Sequence, residues 1–182
     1  MKLNTDYNII GEFDISRIVN ELGKLAPEVW DLNQSRQNKF GVHIHTKSIF
    51  INDVPISWDG AGYYVEQYFV NDALNSLTND IVTKLENHFS GKVGKTLYIN
   101  LPAKQKIATH TDNGYYLTGV HRCHIPIITN DQVDFILGKQ TVHMKPGVCY
   151  EINNAGLHGV VNNSDTDRIH LLIDIIPPSL IK

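Results

Sequence analysis

Two imidazoles and one carboxylate set the chemistry open to this chain. His110 and Asp112 stand two residues apart in H-T-D, and His158 follows well downstream. On an extended segment the two-residue period of a strand points His110 and Asp112 to the same side, so one ion can be held by both. The third donor must come from another strand, brought close by folding. His158 lies in N-N-A-G-L-H-G-V-V-N, where Asn and Gly predict a turn leading into a strand. Two His and one carboxylate occupy one face of an Fe(II) ion and leave three positions open, the arrangement of non-haem oxygenases.

Arg168 opens R-I-H-L-L-I-D-I-I, a strongly apolar run of strand-forming residues. A guanidinium there is costly to bury unless it meets an anion, and its planar fork suits a carboxylate. A bound 2-oxoglutarate would supply that anion. Arg122 and His124 share one face of their strand, with His121, Cys123 and Ile125 on the other. Two cation-capable groups beside a carboxylate pocket also need an anion to justify burial.

His43 and His45 in H-I-H are the competing pair, similar to the first metal-binding pair of a cupin. No glutamate or further histidine follows at a spacing that completes such a set, so they read as satisfied or substrate-facing, with His45 the candidate contact. Arg36, Gln37, Tyr115, Tyr116 and Asn153 are substrate-side candidates from their placement near the expected opening. Tyr115 and Tyr116 follow D-N-G, a turn sequence, which predicts a loop beside the metal that could close over substrate. His88, His143 and His170 read as ordinary histidines.

H-T-D, R-C-H-I-P-I at 122–127 and M-K-P-G-V-C-Y-E-I-N-N-A-G-L-H-G-V-V-N-N-S-D-T-D-R at 144–168 together resemble the aspartyl/asparaginyl β-hydroxylase family of Fe(II)/2-oxoglutarate dioxygenases, which includes bacterial proline hydroxylases. The likeness is strong over 95–178; R-Q-N-K-F-G-V-H-I-H-T-K-S-I at 36–49 is similar to the family's first strands. The resemblance implies that His110 and His158 ligate iron, with Asp112 in position for the acidic ligand that some members lack. It implies that Arg168 binds the distal carboxylate of 2-oxoglutarate, and that Arg122 and His124 handle carboxylates of cosubstrate or substrate. The implied reaction hydroxylates an unactivated C–H of an amino-acid side chain, peptidyl Asp/Asn or a free amino acid such as proline, while 2-oxoglutarate and O2 become succinate and CO2.

The elements that must position these residues follow from the rest of the chain. Its 182 residues suit one dioxygenase domain, with a helical and strand N-terminal part over 1–93 and a metal-binding core over 94–178. Ile15, Ile18, Val19, Leu22 and Leu25 predict a first helix behind Asp14, ended by Pro27. Loop is expected over 30–40 and one or two strands over 40–51. Leu74, Leu77, Ile81, Leu85 and Phe89 predict a second helix over 72–89, capped by Asn71 and closed by Gly91. Short strands are expected at 96–101, 107–111, 120–128, 132–137, 140–144, 148–152, 158–162 and 168–176. The expected fold is mainly β with supporting helices, a double-stranded β-helix (jelly roll, cupin-like).

A net charge of −3 gives no broad attraction to nucleic acid or anionic membrane. Cys123 and Cys149 are too few for a disulfide framework, and with no signal-peptide core the expected location is cytoplasmic. The expected partners are O2 and a small-molecule or peptide substrate. Two rival readings remain: a non-catalytic jelly-roll binding module, and a cupin-type metalloenzyme using His43 and His45.

Overall fold

The computed structural model describes residues 3–55 and 57–182. The N-terminal part runs β1 (Tyr7–Glu12), α1 (Ser16–Leu22), a 3-10 turn at Pro27–Asp31, α2 (Ser35–Lys39), a second at Gly41–His43, β2 (Lys47–Asp53), β3 (Glu66–Gln67) and α3 (Asp72–Phe89). Then come β4 (Lys92–Leu101), β5 (Lys106–His110), α4 (Tyr115–Gly119), β6 (His121–Ile128), β7 (Val133–Leu137), β8 (Gln140–Val142), β9 (Val148–Ile152), β10 (His158–Asn162) and β11 (Arg168–Ile176). The strands form two antiparallel sheets, β1-β9-β6-β11-β4-β2-β3 and β5-β10-β7-β8, in the expected jelly-roll arrangement.

Strand β11 shows how the sequence builds both a core and a site. Ile169, Leu171, Ile173 and Ile175 join an apolar layer with Ile18 and Leu22 of α1 and Leu74, Ile81 and Leu85 of α3. By the two-residue period, Arg168, His170, Leu172 and Asp174 face the other way, where Arg168 and His170 meet Phe135 of the smaller sheet. Strand β6 repeats the division, with Cys123, Ile125 and Ile127 in the helix layer and Arg122 and His124 inward. Each buried Leu or Ile contributes ~1.5–3 kcal/mol, so a one-residue slip of β11 would exchange four such side chains for two charges, an imidazole and a single leucine. Between the sheets, Leu101, Tyr150 and Ile152 pack against Ile107, Phe135 and Val160.

Helix α3 has the expected bounds. Asn71 accepts a hydrogen bond from the Leu74 N–H at 2.8 Å, a cap worth ~1 kcal/mol. The helix is closed by Ser90, left-handed at φ 51°, and not by Gly91. Gly91 has a different constraint: a Cβ there would lie 2.6 Å from the Ile175 side chain and 2.7 Å from the Ile176 carbonyl. None of the described helices is long and apolar enough to cross a membrane.

The N-terminal third departs most from expectation. Strand β1 has no clean apolar alternation and pairs at the sheet edge with β9. The strand expected from residue 40 begins only at Lys47, because the preceding backbone is satisfied locally. His43 N–H donates to the Phe40 carbonyl at 2.9 Å, and Thr46 donates to the His43 carbonyl through N–H at 2.9 Å and hydroxyl at 2.8 Å. His43 and His45 therefore share no strand face. The expected loop over 30–40 contains α2, and Tyr115 and Tyr116 begin α4 in place of a loop. Gly114, at φ +101°, supplies the D-N-G turn that starts it.

Candidate active site

The smaller sheet brings two imidazoles together by register. His110, at the end of β5, is paired with His158, at the start of β10, and their ring centroids lie 4.3 Å apart. His110 Nδ1 lies 2.8 Å from the Ala108 carbonyl and His158 Nδ1 lies 3.0 Å from the Gly156 carbonyl. A carbonyl only accepts, so each Nδ1 carries the hydrogen and each Nε2 presents a lone pair. These Nε2 atoms stand 3.8 and 3.9 Å from the oxygens of Asp112. Beyond the end of β5, Asp112 is drawn back by its N–H, which donates to the Asn154 carbonyl at 3.0 Å. One donor atom from each of the three residues lies within 4.8 Å of the others.

Charge around Asp112 is arranged through Arg122. Its Nε and Nη2 donate to the two oxygens of Asp174 at 2.8 Å each, and its Nη1 donates to Asp112 Oδ2. Burial opposes ionisation of Asp112, but the Arg122 guanidinium, helped by the Asn154 amide, outweighs it and holds its pKa below the usual carboxylate value. Burial likewise opposes the Arg122 charge, and Asp174 and Asp112 more than restore it. Tyr116 completes the assembly, donating to Asp174 Oδ2 at 3.0 Å and accepting from the Lys95 N–H at 2.7 Å. Arg122 is thus paired with two protein carboxylates, whereas the resemblance implied that it handles a carboxylate of cosubstrate or substrate. Asp174 and Asn154 were missed in sequence; the clue to Asp174 was an acid within an apolar strand.

Arg168 is the opposite case. It is 1 % exposed, its guanidinium lies 5.7 Å from the centroid of Phe135, and Nε and Nη2 have no partner. No carboxylate lies within ion-pair distance among the described residues. Burial, assisted by the charge of Arg36, lowers its pKa to about 9. Beside it His124 has an unpartnered Nδ1, and His170, stacked 5.9 Å from Phe135, has both ring nitrogens unpartnered. Burial and Arg168 hold both imidazoles neutral, well below the usual histidine pKa. The two-residue spacing from Arg168 sets His170, read from sequence as an ordinary histidine, on the same face, and there it is buried.

Arg168, His124, the three metal-ligand candidates and Arg122 line a narrow inner chamber of about 40 Å³. That space admits a carboxylate on an unbranched chain, and unpartnered guanidinium nitrogens are what such a group would satisfy. The residues present therefore fit Fe(II) and 2-oxoglutarate. The chamber shares walls with an outer cleft of about 840 Å³, within the range of small-molecule sites.

The other sequence candidates divide. Arg36 and His43 line both spaces, while Tyr115 lines the cleft with its hydroxyl donating to the Leu180 carbonyl at 2.8 Å. Gln37 reaches the Thr46 carbonyl at 2.7 Å. His45 is exposed outside both spaces, because the turn following His43 carries it outward. Asn153 also lines neither, being held by the N-terminal segment through the carbonyls of Asp6 and Leu3. Its neighbour Asn154 is the one at the site. The cupin-type pairing of His43 with His45 fails on the same geometry.

The family model described as aspartyl/asparaginyl β-hydroxylase matches residues 12–178. By sequence, no curated protein matches the chain. Among solved structures, a prolyl-4-hydroxylase from Pseudomonas putida is similar at TM-score 0.58 and 10% identity, over 96% of this chain and 94% of that one. A viral collagen prolyl hydroxylase from Paramecium Bursaria Chlorella virus-1 is similar at TM-score 0.52 and 10% identity, over 96% and 97%. A 2OG-Fe(II) oxygenase family protein from Burkholderia pseudomallei gives 0.54 and 12%, over 72% and 67%. At such identities these likenesses speak to the fold. Through the family match the chain belongs to the aspartyl/asparaginyl β-hydroxylase family of 2-oxoglutarate-dependent oxygenases.

Proposed function

We propose that the protein uses Fe(II) and 2-oxoglutarate to hydroxylate an unactivated C–H bond of an amino-acid side chain, either free or within a peptide. The observation that carries this reading is the pairing, in one chamber, of three converging metal donors with the buried, unpartnered guanidinium of Arg168. His110, Asp112 and His158 hold the metal through two Nε2 lone pairs and an ionised carboxylate. When bound together, iron and 2-oxoglutarate supply the oxidising chemistry, in which one oxygen atom of O2 goes to substrate and one to succinate, with loss of CO2.

The chain's own residues position and enclose. Arg168 donates to the far carboxylate of 2-oxoglutarate, a charged hydrogen bond worth ~1.5–3 kcal/mol, with neutral His124 beside it. Arg122, fixed by Asp174, keeps Asp112 ionised and aimed at the metal. Ile99, Ile107, Val160 and Leu172 line the chamber with apolar surface and limit water there. No protein acid or base is assigned to the C–H step.

The test is succinate release in air with Fe(II), ascorbate and 2-oxoglutarate, run against free amino acids and peptides. Turnover stimulated by one member, with product heavier by one oxygen atom, is the expected result. Protein that takes up iron but neither binds nor consumes 2-oxoglutarate would refute the reading.

A further inference from the structure

The site holds a second unneutralised guanidinium. Arg36, on α2, lines both the inner chamber and the outer cleft. Its Nη2 lies 3.1 Å from His43 Nε2, and its Nη1 is buried without a partner. A guanidinium only donates, so His43 Nε2 accepts and the ring hydrogen sits on Nδ1, which is also buried and unpartnered. No carboxylate forms an ion pair with Arg36 among the described residues: the nearby acids, Asp112 and Asp174, are held by Arg122. Arg36 Nη1 and His43 Nδ1 are both buried donors without a partner, and the charged guanidinium among them calls for an anion that the protein does not supply.

The far carboxylate of cosubstrate can occupy one of the two guanidinium groups; Arg168 lines the inner chamber alone, whereas Arg36 also borders the cleft through which substrate must come. The cleft walls include Phe40, Phe50, Val54, Leu97, Leu117 and Leu172, which are apolar. At about 840 Å³ the cleft lies in the upper part of the range of small-molecule sites, roomier than a free amino acid requires. Its acids leave no interior partner for an ammonium: Asp53 is paired with Lys95, Asp112 with Arg122, and Glu66 stands exposed at the rim.

We propose that Arg36, backed by His43, anchors a carboxylate of the substrate, and that this substrate is an N-acylated amino acid whose apolar acyl chain fills the cleft. The inference rests on the hydroxylase reading above and specifies its substrate class. Arg36 sets specificity by holding the carboxylate at the chamber mouth, with the side chain to be hydroxylated turned toward the metal.

Calorimetric titration under argon, on protein loaded with Fe(II) and 2-oxoglutarate, tests this without turnover. The probes are N-hexanoyl amino acids, their carboxamides and the free amino acids. At least one N-hexanoyl acid should bind about tenfold more tightly than its carboxamide and than its free amino acid, the equivalent of one charge-assisted contact. Arg36→Met should abolish the acid-over-amide preference while leaving 2-oxoglutarate affinity unchanged, and Arg36→Lys should retain part of it. Equal binding of acid and amide, no binding by any N-hexanoyl compound, or a preference that survives Arg36→Met would each overturn the proposal. So would loss of 2-oxoglutarate affinity in Arg36→Met, which would make Arg36 a cosubstrate contact. Failure of wild-type protein to bind 2-oxoglutarate would instead sink the hydroxylase reading.

Discussion

Replacing Asp174 by Asn should be among the most damaging single changes to this fold, although it adds and removes almost no volume. Asp174 is 0 % exposed and receives two hydrogen bonds from Arg122 at 2.8 Å and one from Tyr116 at 3.0 Å. The substitution leaves a buried guanidinium with Asp112 as its one remaining acidic partner. Breaking a buried pair from one side costs about 3–5 kcal/mol. At about 2–4 °C per kcal/mol for a chain of this size, the melting temperature should fall by roughly 6–20 °C. Asp165, whose side chain is 88% exposed in its pair with Lys104, provides the control, and Asp165→Asn should cost about 0–1 kcal/mol. Urea unfolding at neutral pH, followed by tryptophan fluorescence, measures both. Adding Arg122→Met to Asp174→Asn should cost much less than the two separate losses combined, because the partners are coupled. An Asp174→Asn cost no larger than the Asp165 control, or strict additivity in the cycle, would refute the argument that this buried pair organises Asp112.

Arg168→Met should have opposite effects on two readouts: raised apo stability in urea, because an unpartnered buried charge is gone, and 2-oxoglutarate affinity weakened about 10- to 150-fold by calorimetry. A stability loss in the apo protein would show that Arg168 has a partner after all. His124 and His170 are held neutral in the fold, whereas the unfolded chain takes up protons as pH falls through about 6.5. The unfolded state then binds more protons, so stability should fall below that pH by about 1.4 kcal/mol per unit per histidine, and His170→Phe should remove one share of the slope. An unchanged slope in urea titrations at several pH values would exclude His170 as its source. His110→Ala should abolish iron binding in an equilibrium titration and His45→Ala should leave it intact; the reverse pattern would restore the rival histidine pair.

The legible parts were those in which period and burial agree. Strands 148–152, 158–162 and 168–176 and helix 72–89 came through with the expected bounds, since each combines a strong apolar pattern with flanking turn or cap residues. Residues 40–46 were not legible, because H-I-H-T alternates like a strand while local hydrogen bonds from Thr46 and Gln37 tie the backbone into turns. Spacing brought out His110, Asp112 and His158, whose convergence depends on one cross-strand register. It could not reveal that Arg122 would be absorbed by Asp174 while Arg168 and Arg36 would not. Residue type shows that a charge exists; only the fold decides which charges are already answered.

The proposed metal donors and the proposed grip for the far carboxylate stand on different sheets. His110 and His158 belong to the smaller one, Arg168 to the larger, and the spacer between them is a layer of Leu101, Tyr150 and Ile152 against Ile107, Phe135 and Val160. The reach from the proposed metal donors to the guanidinium is therefore a thickness, set by apolar side chains of which Ile107, Phe135 and Val160 also wall the chamber. Trimming Val160 or enlarging Ile107 would alter that gauge, so cosubstrate length preference should be tunable from the hydrocarbon filling with every polar residue of the site left in place.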